Sequence, residues 1–336
     1  MKKNCCRLVR PVRFVQIFMF ILLILHPGGA YAASGWSCFG ATLAEWVLPG
    51  LGYGLLGHYD KMFVFGSARW AAWNKYYSYS QSPDYQSDWD QIYRNTSLGG
   101  GRRQTDVYYS RSTFYGNSFK SIYSNLTFVT YFDLIDGECE ENPETYNLML
   151  SPFRFGDYGK TVAFWVPTAF ISTVPMETEL ITYHVDGNLT RDEMLLQSFF
   201  ENQLTGIGEE MIFRGLIQRS LFDLYSLGFD RNFSRWGSIV SASVIFGLAH
   251  SGQGFTSSPL IAFLYGIGLG WVYHPADGEF ELVQPIAIHS WWNTIGQHRR
   301  IRGANFVERG KSENAQTSSP YRSERYSPLF SIRFRF

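Results

Sequence analysis

The chain has 336 residues, 29 basic and 29 acidic side chains and a pI near 7.0. That balance excludes a global charge attraction to nucleic acid, and no nucleic-acid partner is expected. Aromatic residues reach 18% and charged residues only 17%, yet mean hydropathy is −0.14. Soluble domains carry roughly 25% charge, so the mixture predicts membrane-embedded helices joined to polar, Tyr- and Ser-rich material.

Residues 1–32 open on the basic MKKNCCRLVRPVR, continue through the apolar FVQIFMFILLIL and end in PGGAYAA, with Ala30 and Ala32 as small residues before a cleavage point. This order is that of a secretory signal. The apolar run is shorter than the roughly 20 residues of a membrane span, so a cleaved signal is favoured over an uncleaved first transmembrane helix. Lys2, Lys3, Arg7, Arg10 and Arg13 keep the start cytoplasmic. The expected location is a multi-pass position in a bacterial inner membrane, with membrane lipid as a partner. Cys38 and Cys139 remain after cleavage, either bridged or as two thiols. No Cys/His spacing calls for zinc, and no metal or cofactor is expected.

The N-terminal region, 33–158, begins with FGATLAEWVLPGLGYGLLG and YDKMFVFGSARWAAW, read together as a helical hairpin at or in the membrane, with Glu45 arguing for shallow embedding. Residues 76–118 are polar and without steady period, hence extramembrane. Residues 119–136 are expected as an interfacial helix, and Asn125-Leu126-Thr127 matches a glycosylation sequon.

From 159 to 298 apolar density rises. TVAFWVPTAFISTV is a candidate span kinked at Pro167. Thr190 and Glu193 form a capping box that opens a helix, expected to weaken near Gly206 and Gly208 and to resume through EEMIFRGLIQRSLFDLYSL. Three more helices are expected at 236–250, 259–273 and 283–298, the first two rich in small residues that allow close packing. Residues 299–336 read as a basic, polar, disordered tail, cytoplasmic because of Arg299, Arg300 and Arg302. The fold class is therefore all-α, a polytopic membrane helical bundle with a polar N-terminal half of uncertain structure.

Three helices carry polar groups that an apolar setting penalises. On the first, Glu210 and Arg214 stand four residues apart and pair on one face. Glu209 points elsewhere without a local cation, so low dielectric should raise its pKa and suit it to general-base work. On the second, Phe246 and His250 share a face; on the third, His289 and Asn293 project side by side.

The ordered set Glu-Glu-x-x-x-Arg, Phe-x-x-x-His, His-x-x-x-Asn, each on its own apolar helix, resembles the CPBP family of CAAX prenyl endopeptidases and bacteriocin-processing intramembrane proteases, over about residues 160–298. The resemblance implies a glutamic endopeptidase acting on a peptide or membrane-protein substrate. Glu209 and His250 would activate water, His289 and Asn293 would form the oxyanion hole, and Glu210 and Arg214 would support them. The export signal argues against a prenylated substrate. Two alternatives stand beside this reading. One is a catalytically silent membrane scaffold or immunity protein; the other is a metal-dependent membrane hydrolase with Glu209, His250 and His289 as ligands.

Overall fold

A computed structural model describes residues 32–99, 102–139, 145–176, 178–186, 188–250, 257–275 and 280–309. The expected signal and most of the basic tail lie outside these residues.

Three N-terminal helices come first: α1 (Ala32–Val47), α2 (Leu51–Leu56) and α3 (Tyr59–Ser80). The turn between α1 and α2 is made by Gly50 in the left-handed region, φ 89°. A Cβ there would also lie 2.8 Å from the Met62 backbone oxygen, so the site demands glycine. Glu45 is not the shallow surface charge expected of the hairpin. It is fully buried, accepts from the Gly50 amide at 2.8 Å and the Gly52 amide at 3.1 Å, and pairs with buried Arg69 of α3. It anchors the start of α2 against the next helix, since orphan amides at a helix start favour a carboxylate. Cys38 is disulfide-bonded.

The polar region read as extramembrane, where no steady period is visible, forms strands β1 (Tyr93–Gly99) and β2 (Arg102–Tyr109) and leads into α4 (Arg111–Phe132). Ser110 caps α4 by accepting from the Thr113 amide. This helix is central rather than interfacial: Phe114, Leu126, Phe128, Val129 and Phe132 are buried, and it packs on both α3 and α6 (Arg191–Glu210). Asn125 of the sequon is buried too, donating at 3.1 Å to Thr205 of α6, which leaves it no room for a glycan.

The C-terminal half follows the expected order: α5 (Val162–Thr173, Pro167 inside it), strand β3 (Ile181–Asp186), and then α6. The Thr190–Glu193 capping box forms in both directions. After Glu210 the helix widens into a π-helical stretch, Met211–Gln218, then tightens into α7 (Arg219–Ser226). Next come α8 (Arg231–Ala249), α9 (Ser257–Tyr273), α10 (Val283–Gly303) and strand β4 (Asn305–Arg309). The start of the supposed tail is thus ordered. Arg299 donates to the carbonyls of Ile171 and Val174 at the end of α5, where a cation meets unpaired carbonyls favourably.

The four strands form one sheet in the order β1-β2-β3-β4, antiparallel between β1 and β2 and parallel thereafter, with Thr105 opposite Ile181 and Thr182 opposite Asn305. This sheet adds to the mainly helical architecture a layer that the all-α expectation did not contain. Its inner side chains, Val107, Tyr109, Tyr183 and Val185, pack with Phe114, Met194, Ile301 and Ala304. The sheet therefore clamps the start of α6 and the end of α10. At 1.5 Å per residue, Met194 lies about 22 Å along α6 from Glu209.

Gly206 does not weaken α6. It lets α6 meet α10: a Cβ there would fall 2.3 Å from the Ser290 hydroxyl and 2.5 Å from its backbone nitrogen. On the opposite side, a Cβ on Gly208 would lie 2.6 Å from the Asn125 carbonyl. We expect Gly206→Val to push α10 away and abolish activity. Thermal unfolding should show a lost Tm of several degrees, since overpacking costs about 1–3 kcal/mol.

Among the described residues no helix is long and apolar enough to cross a membrane, so the expected polytopic arrangement is not reproduced by these helices. Large apolar side chains nevertheless stay exposed on several helices: Val162, Trp165, Val166 and Phe170 on α5, Val240 and Val244 on α8, Leu260 and Leu264 on α9. An exposed apolar surface of this kind marks contact with a membrane or a partner.

Candidate active site

Glu209 and Glu210 close α6, at the point where the helix widens. Such π-helical stretches recur at functional sites because they re-aim side chains within a helix. Both carboxyls are completely buried, as are Arg214 and His289. Burying charge is costly unless it is paired, and the two glutamates meet that cost differently.

Glu210 is paired twice. Its Oε2 accepts from Arg214 Nε at 3.0 Å, the expected four-residue contact. Its Oε1 lies 2.7 Å from His289 Nδ1. A carboxylate held by arginine is an acceptor, so His289 Nδ1 carries the proton and Nε2 faces the other way. The Arg214 guanidinium also lies over the Phe246 ring, 5.2 Å from its centre.

Glu209 has neither kind of partner: neither carboxyl oxygen makes a hydrogen bond among the described residues. Its Oε2 stands 3.7 Å from His289 Nε2 and 3.9 Å from His250 Nε2. Burial pushes the Glu209 carboxyl well above the usual carboxylate range; the Glu210 charge adds to this, and Arg214 opposes it. Here the expectation from the sequence and the geometry agree.

His250 ends α8. Its Nδ1 lies 2.6 Å from the Phe246 carbonyl, which can only accept, so Nδ1 carries the proton and the Nε2 lone pair is turned toward Glu209. Burial pulls its pKa down to about 4, against the carbonyl contact, which keeps it neutral at ordinary pH. Phe246 is the shared wall of the site. Its ring packs on His250 at 4.3 Å, on His289 at 6.0 Å and on Phe213 at 5.0 Å.

The structure thus brings Glu209, Glu210, Arg214, His250 and His289 together from three helices. Asn293 stands one helical turn beyond His289 on α10, with its Nδ2 buried and without a hydrogen-bond partner among the described residues. Sequence reasoning missed two features. One is the Glu210–His289 bond between helices. The other is Tyr265 of α9, whose ring stands edge-on to His289 at 5.6 Å and whose buried hydroxyl has no hydrogen-bond partner among the described residues. Burial holds that phenol neutral, well above its usual range. Its only sequence signal was a hydroxyl in mid-run of an otherwise apolar helix.

Among the described residues no group of three or more His, Cys, Asp or Glu side chains is placed to hold a metal ion. No curated protein and no solved structure matches the chain. A family model does: residues 192–295 match that of the type II CAAX prenyl endopeptidase Rce1-like proteins, and the matched segment contains all six of the residues above. This match over about a third of the chain supports the resemblance of that segment to the CPBP/CAAX protease family.

Proposed function

We propose that the protein is a membrane-associated glutamic endopeptidase that hydrolyses a peptide bond by direct attack of water. The observation that carries this reading is the buried Glu209 carboxyl, faced at 3.7 and 3.9 Å by the Nε2 atoms of two histidines from different helices. Those separations exceed a direct hydrogen bond and suit a water held between the groups.

In this mechanism the attacking water gives one hydrogen to ionised Glu209 and the other to the His250 Nε2 lone pair. Its oxygen bonds to the carbonyl carbon. Glu209 takes the proton, the carbon–nitrogen bond breaks, and Glu209 returns the proton to the leaving amine. A carboxylate with a raised pKa is a stronger base for this transfer. The developing oxyanion accepts from Asn293 Nδ2 and from His289 Nε2. For the latter His289 must carry both protons, and the Glu210 carboxylate at 2.7 Å balances that charge. Arg214 in turn fixes Glu210. The exposed apolar surface on α5, α8 and α9 faces lipid, and the basic-then-apolar N-terminus points to a bacterial inner membrane. The substrate is a peptide or protein segment presented at that surface.

The test is a peptidome comparison of cells carrying wild type or Glu209→Ala. Cleavage termini present only with wild type are expected; identical peptidomes would favour a silent scaffold. Within the proposed machinery, Asn293→Ala should lower kcat by about 100- to 1000-fold, the cost of one oxyanion donor elsewhere, with KM little changed. Steady-state kinetics on a cleaved peptide check this, and a rise in KM alone would make Asn293 a substrate-binding group.

A further inference from the structure

The hydroxyl of Tyr265 is a buried donor beside the site that the mechanism above leaves unused. Its ring sits at right angles to His289, 82° between planes and 5.6 Å between centres, and packs on Trp292 at 5.1 Å. These contacts hold the ring against two residues on one side of α10. The oxygen is buried and has no hydrogen-bond partner among the described residues. Its ring contact with His289 places the residue at the border of the site. A buried donor without an acceptor is unfavourable. Phenylalanine would fill the same space without that penalty. A tyrosine kept here makes sense when its acceptor arrives with the substrate.

We propose that Tyr265 is a further catalytic residue, whose hydroxyl donates a hydrogen bond to the substrate carbonyl oxygen and to the oxyanion formed from it, from the α9 side of the site. The inference rests on the endopeptidase reading. It completes a cradle in which donors reach the oxyanion from two helices, α9 and α10. It also removes a weakness of the two-donor arrangement, in which His289 can donate only as the imidazolium. A phenol kept neutral by burial donates whatever the protonation of His289.

The experiment uses the full-length protein in lipid vesicles, a peptide identified in the peptidome comparison, and a peptide phosphonate of the same sequence as a tetrahedral anionic mimic. Wild type, Glu209→Gln and Tyr265→Phe are compared. We expect Tyr265→Phe to lose on the order of 100-fold in kcat, as for other single oxyanion donors, with KM within a few-fold of wild type. Its phosphonate affinity should fall by a similar factor and its Tm should hold or rise. Unchanged kcat and phosphonate affinity in Tyr265→Phe, with Glu209→Gln inactive, would overturn this inference alone. A fall in Tm would mean that the hydroxyl is bonded within the protein and would also overturn it. So would a shifted pH profile with unchanged phosphonate affinity, which would make Tyr265 a partner of Glu209. Full activity in Glu209→Gln would instead remove the underlying endopeptidase reading.

Discussion

Replacing Glu209 by glutamine will abolish cleavage and leave a protein at least as stable as wild type at neutral pH. The two halves of this expectation have one cause. Glu209 is completely buried, and among the described residues neither oxygen receives a hydrogen bond. Leaving a buried polar group unsatisfied costs about 1–3 kcal/mol and more when it is charged. Glutamine keeps the shape and cannot take a proton from water. The sign of the pH dependence follows. Folding raises the Glu209 pKa, so the folded protein keeps a proton that the unfolded chain releases above the ordinary glutamate value. Stability from this group is therefore lost as pH rises from that value toward the raised one. Thermal unfolding of wild type and Glu209→Gln across pH 5–8 should show this slope only in wild type. A variant that is both inactive and markedly less stable would show that Glu209 is held by structural bonds.

Glu210→Gln should behave in the opposite way, although the two residues are adjacent. Glu210 accepts from Arg214 at 3.0 Å and faces His289 Nδ1 at 2.7 Å, with all three groups buried. Removing its charge strands Arg214 in a low-dielectric interior, and breaking a buried pair in this way costs about 3–5 kcal/mol. Activity should fall as well, because His289 loses the group that orients it and balances its charge. The checks are chemical or thermal unfolding and kinetics at a temperature where the variant stays folded. Little change in stability would mean that the Glu210–Arg214 contact is made equally well by a neutral amide, and that the site does not depend on a charge at Glu210.

Local signals made much of this legible beforehand. The Thr190–Glu193 capping box forms as read, and the four-residue spacing correctly paired Glu210 with Arg214. The helices at 231–249, 257–273 and 283–303 follow their apolar runs. What failed depended on contacts distant in sequence. The strands β1 and β2 show no strong alternation, and their sheet is completed by β3 and β4 from far along the chain. Glu45 and Asn125 looked like surface groups because their partners, Arg69 and Thr205, sit on other helices. Gly206 looked like a helix weakener because Ser290, the group it makes room for, is on α10. For the same reason His289 could be placed in the site from its spacing to Asn293, whereas its bond to Glu210 could not.

The most direct measurement is peptide cleavage by purified wild type and Glu209→Gln, side by side, in lipid vesicles with a strong chelator present. The account predicts sustained cleavage by wild type and none by the variant. Equal cleavage by both would contradict Glu209 as the base, and wild-type activity lost to the chelator would contradict hydrolysis by these side chains alone.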